Sequence, residues 1–418
     1  MGNGSKWLAL DGRPLVSPSD VKILFLTPRL PYPLDAGTSL RNFRLIQSAA
    51  SEHEVHLLSF IDRPLRIEHL EALQSVCGRV ELRSAPPHGA LPRLKRLVRS
   101  DLPDMAYRRW SPAFAQTLRD MLAGEQYDIV EAEGIELARY LPIARGAHLI
   151  FSDHNVEHQL QQRAHQVDRS RPRRWPQAAY SLIQAHRLVR FEAAACRLAD
   201  AVLTVSNEDA AALRALEPRG RYRVVPNVIA ADDYPTRSGW PDRPAVLFTG
   251  TLDYRPNADA VRWLLDAIMP RVWEHAPQTR VFVVGRGPAP DIVARGQHDP
   301  RIAVTGPVES LDPYWARASV YVLPMRVGGG TRFKALEAMA AGLPIASTPM
   351  GMEGIAAEDG AHYLAGASAN ALAEAVVRLL DDQGLRERLA EAADRLVREQ
   401  YDWRVVAPRL LDVYRELA

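Results

Sequence analysis

SVYVLPMRVGGGTRFKALEAMAAG, residues 319–342, changes its period halfway along, and that change decides the class of fold. The opening SVYVLP (Ser319 to Pro324) is β-branched and apolar and stops at a proline, the composition of a buried strand. KALEAMAA (Lys334 to Ala341) is built from strong helix formers. Gly328, Gly329 and Gly330 therefore join a strand to a helix. Phosphates suit such a junction. Glycine lets backbone N–H groups approach an anion, the helix N-terminus adds partial positive charge, and Arg332 and Lys334 add full charges. The alternative is a plain turn beside a solvated basic pair, and a glycine run alone does not choose between them.

The strand-then-helix alternation extends in both directions. Strand-like runs occur at VKILFL (21–26), EVHLLSF (54–60), RVELRSA (79–85), YDIVEAEG (127–134), HLIFSDH (148–154), DAVLTVS (200–206) and YRVVPN (222–227). After the breaker TRSGWPDRP (236–244) they resume at AVLFTG (245–250), TRVFVVG (279–285), IAVTG (302–306), SVYVLP, LPIAST (343–348) and AHYLA (361–365). Strands alternating with helices imply parallel sheets covered on both faces. Two such series imply an α/β chain of two doubly wound Rossmann-like domains facing across a cleft. The expected organisation is an extension at 1–20, a first domain at 21–235, a linker at 236–244, a second domain at 245–395, and a helix at 396–418 packing back on the first domain.

Composition fits this reading. A chain of 418 residues suggests two or three domains, and 47% hydrophobic with 24% charged residues is ordinary for a globular protein. A formal charge of +2 does not point to nucleic acid. Cys77 and Cys196 are too few for a disulfide framework or a cysteine metal site. No apolar run reaches a membrane span, MGNGSKWLALDGRP lacks a signal-peptide core, and Lys6 stands where myristoylation expects Ser or Thr. The expected compartment is the cytoplasm.

Ligands of open α/β sheets bind beyond the carboxyl ends of the strands. In the first half that rule selects TPRLPYPLDAGTSLRNF, VEAEG and SDHNVEH; in the second it selects GTLDYRPNADA, VGRGP, TGPVES, the glycine stretch and STPMGMEG.

In order and spacing, PYPLDAGTSLRNFRL, SDHNVEH, VVPNVI, FTGTLDYRPNADAVRWL, VVGRGP, VTGPVESLDPYWARASVYVLP and GGGTRFKALEAMAAGLPIAST resemble the retaining, nucleotide-sugar-dependent glycosyltransferases of the glycosyltransferase group 1 family, with the GT-B fold. More narrowly they resemble sugar transferases found with bacterial exopolysaccharide export systems. The resemblance covers roughly residues 21 to 405 and is most specific over Gly328 to Thr348.

It implies a role for each matching position. Glu337 corresponds to the family's helix glutamate, which binds the ribose hydroxyls of the donor. The family's second glutamate, eight residues earlier, is replaced here by Gly329. GGGTRFKALEA is similar to a variant branch that carries the glycine loop and the Arg-x-Lys pair at that place, which implies substitution rather than loss. Thr251 stands where the diphosphate-clamping Arg is expected, and Arg255 lies near the position of the clamping Lys. Leaving-group charge grows as the glycosidic bond breaks and needs cations or N–H groups aimed at it. Arg332 and Lys334 then stand in for the clamp, Arg255 assists, and Gly285, Gly329, Gly330 and Thr331 line the donor. No Asp-x-Asp pair occurs, so no metal or other cofactor is expected.

In the first domain Gly37 is expected to approach the diphosphate and sugar, with Thr38 or Ser39 as the helix N-cap. His154 matches the family histidine near the reacting sugar, and Glu133 is placed to polarise or deprotonate the acceptor hydroxyl. A structural histidine and a solvated loop carboxylate are the bland alternatives. Departure and attack on one face of the sugar is the favoured mechanism. The implied acceptor is a glycan or a lipid-linked sugar. LPRLKRLVRS (91–100) and RSRPRRWPQ (169–177) mix basic and apolar residues in the half assigned to it, a pattern that suits either the anionic inner face of the cytoplasmic membrane or a solvated helix. Two further readings compete: an epimerase or hydrolase of nucleotide sugars, and a non-catalytic sugar-nucleotide-binding protein.

Overall fold

Thirteen strands form among the described residues, each at a run picked out by periodicity, with β1 and β2 running one residue beyond theirs. The structure is a computed structural model that describes residues 21–34, 36–87, 89–170, 172–235, 237, 239–328 and 332–418. The chain divides into two units. One comprises the described residues up to Val228 together with Val406–Ala418, and the other is Ile229–Val405.

In the first unit the strands are β1 (Lys22–Thr27), β2 (Glu54–Ile61), β3 (Arg79–Ser84), β4 (Ile129–Glu133), β5 (His148–Asp153), β6 (Ala201–Thr204) and β7 (Tyr222–Val224). Their order in the sheet is β3-β2-β1-β4-β5-β6-β7, and every pairing is parallel. The second unit holds β8 (Ala245–Thr249), β9 (Arg280–Val284), β10 (Ile302–Val304), β11 (Val320–Leu323), β12 (Ile345–Ser347) and β13 (Leu364–Ala365). Their order is β10-β9-β8-β11-β12-β13, again all parallel. Both are doubly wound Rossmann-like sheets, in which the order reverses beside the first strand and opens a crevice there.

The central strands read as continuous apolar runs because helices cover both faces. β8 (AVLFT) and β11 (VYVL) are buried throughout. In the first unit Phe60 stacks on Phe114 with ring centroids 4.2 Å apart, and Tyr140 tilts against Phe114 at 4.7 Å. Each large side chain so buried contributes roughly 1.5–3 kcal/mol. Cys77 and Cys196 are free and buried.

Two expected boundaries move. The unit boundary falls at Val228 and Ile229, upstream of the 236–244 segment. Within that segment Arg237 is held in place: its Nη2 donates to the carbonyls of Trp315 (2.8 Å) and Ala318 (2.9 Å), and its guanidinium lies over Trp240. The helix expected over 396–418 is two helices, Gln383–Gln400 and Trp403–Leu417. Asp402 sits at the break, accepting from the Arg404 and Ala231 backbone N–H groups at 3.0 Å each. The expected extension at 1–20 lies outside the described residues.

Candidate functional site

In the second unit, the site grows from the crevice between β8 and β11. β8 ends at Thr249, and the chain turns through Gly250 and Thr251 into the helix Arg255–Trp263. Beyond β11 the chain enters the helix Phe333–Ala340 with Arg332 at its N-cap. Lys334, in the first turn, extends its Nζ to Asn257 Oδ1 at 2.6 Å and lies 4.9 Å from the centre of the Phe248 ring. The other end of the Asn257 amide donates to the Thr251 carbonyl at 2.9 Å. One buried amide thus ties the cation to the loop after β8. A Cβ placed on Gly250 would come within 2.8 Å of Lys334 Nζ, so this glycine leaves room for the ammonium beside the loop.

Electrostatics follow from enclosure. Removal from water, reinforced by the neighbouring Arg332, pushes the Lys334 ammonium down to about 7. Arg332 is buried, with Nε 3.4 Å from the Met350 carbonyl and its guanidinium against Gly328. Glu337 lies three residues beyond Lys334, on the same side of the helix. Its Oε1 accepts from the Tyr234 hydroxyl at 3.2 Å, and burial raises its carboxyl above the usual range against the pull of Tyr234 and Lys334.

Arg255 opens the Arg255–Trp263 helix with its side chain exposed. Thr251 contributes its carbonyl to Asn257. Gly285 has a packing role: its φ is +150°, and a Cβ there would fall 1.8 Å from the Gly250 carbonyl oxygen. The loops after β8 and β9 can touch only because Gly285 carries no side chain at the contact. Gly329, Gly330 and Thr331 lie outside the described residues.

The first unit has its own crevice, at the ends of β1, β4 and β5. Gly37 is the first residue of the helix Gly37–Ala49, whose N-cap is Ala36 without a side-chain cap. The expectation of Thr38 or Ser39 as N-cap is thereby corrected. Ser39 lies inside the first turn and donates to the Leu30 carbonyl at 3.1 Å, which fastens the loop after β1 instead. Glu133, the last residue of β4, is wholly buried and accepts from His154 Nε2 at 2.5 Å. The two residues named from sequence are thus brought together, and the solvated-carboxylate reading of Glu133 is excluded. The Asn42 amide, oriented to satisfy its neighbours, donates to Glu133 Oε2 at 3.0 Å and to the Thr38 carbonyl at 3.2 Å.

A cavity of about 300 Å³ opens beside His154, lined by Arg29, Thr38, Arg108, Asp153 and Glu157 among others. Burial, with Glu136 and Glu192 nearby, pushes the Glu157 carboxyl up to about 8. Neutral and charged groups of both signs therefore meet the same space, which suits a polyhydroxylated ligand. Among the described residues Glu54, His56 and Glu125 form a group of metal-ligand type, but Lys22 Nζ already bridges its carboxylates at 3.0 and 2.9 Å.

Sequence reasoning missed Asn257, Glu131, Tyr414, Arg41 and Asn42. Asn257 carried a signal, an amide three residues into a helix that follows a strand-end glycine.

Comparison with known proteins agrees with this geometry. Residues 37–233 match the family described as Glycosyltransferase Family 4, and residues 243–382 match Glycosyl transferases group 1. A phosphatidyl-myo-inositol mannosyltransferase of Mycobacterium leprae is 33% identical over 198 residues, 46% of this chain and 52% of that protein. The chain thus spans about half the length of the curated relatives it matches. A sucrose-phosphate synthase from Thermosynechococcus elongatus superposes with a TM-score of 0.70 at 20% identity, covering 95% of this chain and 99% of that one. Anabaena HepE, solved with UDP and glucose, gives 0.65 at 15% identity over 94% and 99%. At these identities the structural likeness is one of fold. Among the described residues no helix is long and apolar enough to cross a membrane.

Proposed function

The chain belongs to the group 1 glycosyltransferases, and from that premise we propose that it moves a sugar from a nucleotide-diphosphate donor to a glycan or lipid-linked acceptor, with retention, in exopolysaccharide synthesis. The observation that carries this reading is the spacing of Lys334 and Glu337 on one helix whose first turn meets the loop after β8. A cation at a helix N-terminus suits a diphosphate, and a carboxylate one turn further suits a pair of vicinal hydroxyls, so a nucleoside diphosphate matches both.

Arg332 and Lys334 then stabilise the diphosphate as the anomeric C–O bond breaks and its electron pair leaves with the phosphate oxygen. Glu337 holds the ribose. The acceptor hydroxyl enters the cavity beside His154, and Glu133 orients the imidazole. Departure and attack take place on the same face of the sugar, helped by the cations on the diphosphate. Two mannosyl relatives bear on the donor: one carries the name GDP-mannose-dependent alpha-(1-6)-phosphatidylinositol monomannoside mannosyltransferase. GDP-mannose therefore heads the donor panel.

Contact with anionic lipid is part of the same proposal. The helix Ala90–Arg99 exposes Arg93, Lys95, Arg99 and Val98, the last 81% exposed, and Trp175 at the start of the neighbouring helix Trp175–Leu198 is 61% exposed. Arg93 and Arg187 tie the two helices together through Tyr180 and the Leu97 carbonyl. Cations around exposed apolar side chains are what an anionic interface binds.

The test is a panel of GDP-, UDP- and ADP-sugars read by protection against thermal unfolding, since a ligand that binds only the folded state raises its stability. At least one nucleotide sugar should raise the melting temperature and be consumed when a glycan or lipid-linked acceptor is added. Consumption that ignores acceptor would replace transfer with hydrolysis or epimerisation. Binding with no turnover would leave a sugar-nucleotide-binding protein.

A further inference from the structure

Two carboxyl groups buried side by side do not both stay ionised without compensation. β4 carries such a pair, Glu131 and Glu133, two residues apart and so on one face of the sheet, and neither has exposed surface. Tyr414, from the helix Trp403–Leu417, donates its hydroxyl to Glu131 Oε2 at 2.7 Å. Glu133 Oε2 is occupied by His154 and Asn42. The remaining oxygens, Glu131 Oε1 and Glu133 Oε1, are buried with no other hydrogen-bond partner, and the two carboxyl groups are within hydrogen-bonding reach of each other. One proton between these oxygens gives each its missing partner.

The surroundings decide which carboxyl keeps the proton. Arg41 faces both carboxyl groups from the helix Gly37–Ala49 and is pinned by the carbonyls of Val225 (3.0 Å) and Pro226 (2.8 Å). Asn42 stands beside it, His154 approaches from beyond β5, Tyr414 from the C-terminal helix, and His53 meets the Tyr414 ring edge-on at 5.6 Å. Burial and the charge of Glu133 push the Glu131 carboxyl well up. Burial is the largest influence on Glu133 and pushes it the same way, but the bond to His154 and its charge, the bond from Glu131 and the charge of Arg41 together outweigh it and hold Glu133 below the usual range.

We infer that Glu131 and Tyr414 are positioning residues for His154: the proton kept on Glu131 leaves the negative charge on Glu133, which fixes the imidazole with Nε2–H toward β4 and makes Nδ1 its acceptor atom. An imidazole that donates from Nε2 to Glu133 offers Nδ1 to a substrate hydroxyl, and the opposite tautomer does not. That use of the ring rests on the cavity being the acceptor's place, as proposed above; the tautomer itself does not.

The experiment reads the tautomer and the turnover separately. In ¹⁵N-histidine-labelled full-length protein at mildly alkaline pH, His154 should give the nitrogen shifts of a neutral Nε2–H imidazole. Glu131→Gln should keep that tautomer, because its amide can accept from Tyr414 and donate to Glu133, whereas Glu131→Leu should give a mixture. In the transfer assay Glu131→Leu should lower kcat about tenfold while donor KM changes less than about twofold, and Glu131→Gln should restore most of the loss. An Nδ1–H tautomer or an imidazolium in the unaltered protein would overturn the inference, as would a Glu131→Leu protein with unaltered tautomer. Because the tautomer is read without substrate, a protein that transfers no sugar defeats the proposed function and leaves this test standing.

Discussion

The crevices of the two units share a topology and differ in charge. Beside β8 the partly buried group is a cation, Lys334, held by a neutral amide; beside β4 the buried groups are carboxylates, steadied by an imidazole, a phenol and a guanidinium. The same strand-end position thus serves opposite purposes. A cation kept from water beside a second cation, Arg332, is primed to meet an anion, since ligand charge restores what burial has removed. On the inference above, the buried carboxyl pair shares a proton and acts through His154, so it manages protons rather than phosphates. The difference lies in where the charged side chains originate: the first turn of the helix Phe333–Ala340 supplies the cation, and strand β4 itself supplies the carboxylates.

The largest expected effect tests the cationic side. Replacing both Arg332 and Lys334 with glutamine should lower kcat by about 10²–10³, with a much smaller rise in donor KM, because leaving-group charge peaks in the transition state. Circular dichroism would verify that the double variant folds. Near-normal transfer would reduce the pair to a structural role and make Arg255 the clamp.

Glu337→Ala should cost less and in a different quantity. Removing a charge-assisted hydrogen bond to ribose should weaken donor binding about 10- to 100-fold, read by calorimetry on the folded variant. Unchanged nucleotide affinity would take Glu337 out of the site.

The smallest effect is the most specific to Lys334. With its ammonium pushed down to about 7, Lys334 is largely neutral at about pH 8 in the free protein and becomes charged beside a diphosphate, so donor binding should take up a proton there and take up almost none at about pH 6. Calorimetry in buffers of different ionisation enthalpy measures this directly. Asn257→Ala should weaken binding only about threefold to tenfold and leave the uptake in place. A uniform absence of uptake would mean that Lys334 does not meet the donor.

Much of this was legible in the sequence, for physical reasons. Buried parallel strands must be apolar runs, so β8 and β11 announce themselves, and the strand-end rule then isolates Lys334, Glu337, Glu133 and His154. What stayed hidden depends on contacts distant in the chain. Tyr414 lies 283 residues from Glu131, and nothing local to either implies the other. Glu131 is a buried carboxyl in an apolar strand, and its partner is supplied only by the helix Trp403–Leu417. Gly285 was assigned to the donor by position, yet the space its missing side chain leaves belongs to a neighbouring carbonyl. The 236–244 segment reads as a linker by composition, and only the carbonyls that receive Arg237 reveal that this residue is fastened.

The contact between Gly250 and Gly285 limits how this protein can be altered. Two loops that meet without side chains cannot be widened one residue at a time, since even a methyl group at 285 would displace the backbone that brings Lys334 to its place. A change of donor preference must then arise elsewhere, at exposed positions such as Arg255 or Asp253, which can vary without moving the frame. A laboratory library aimed at new donors should hold the two glycines constant and spend its diversity on those neighbours.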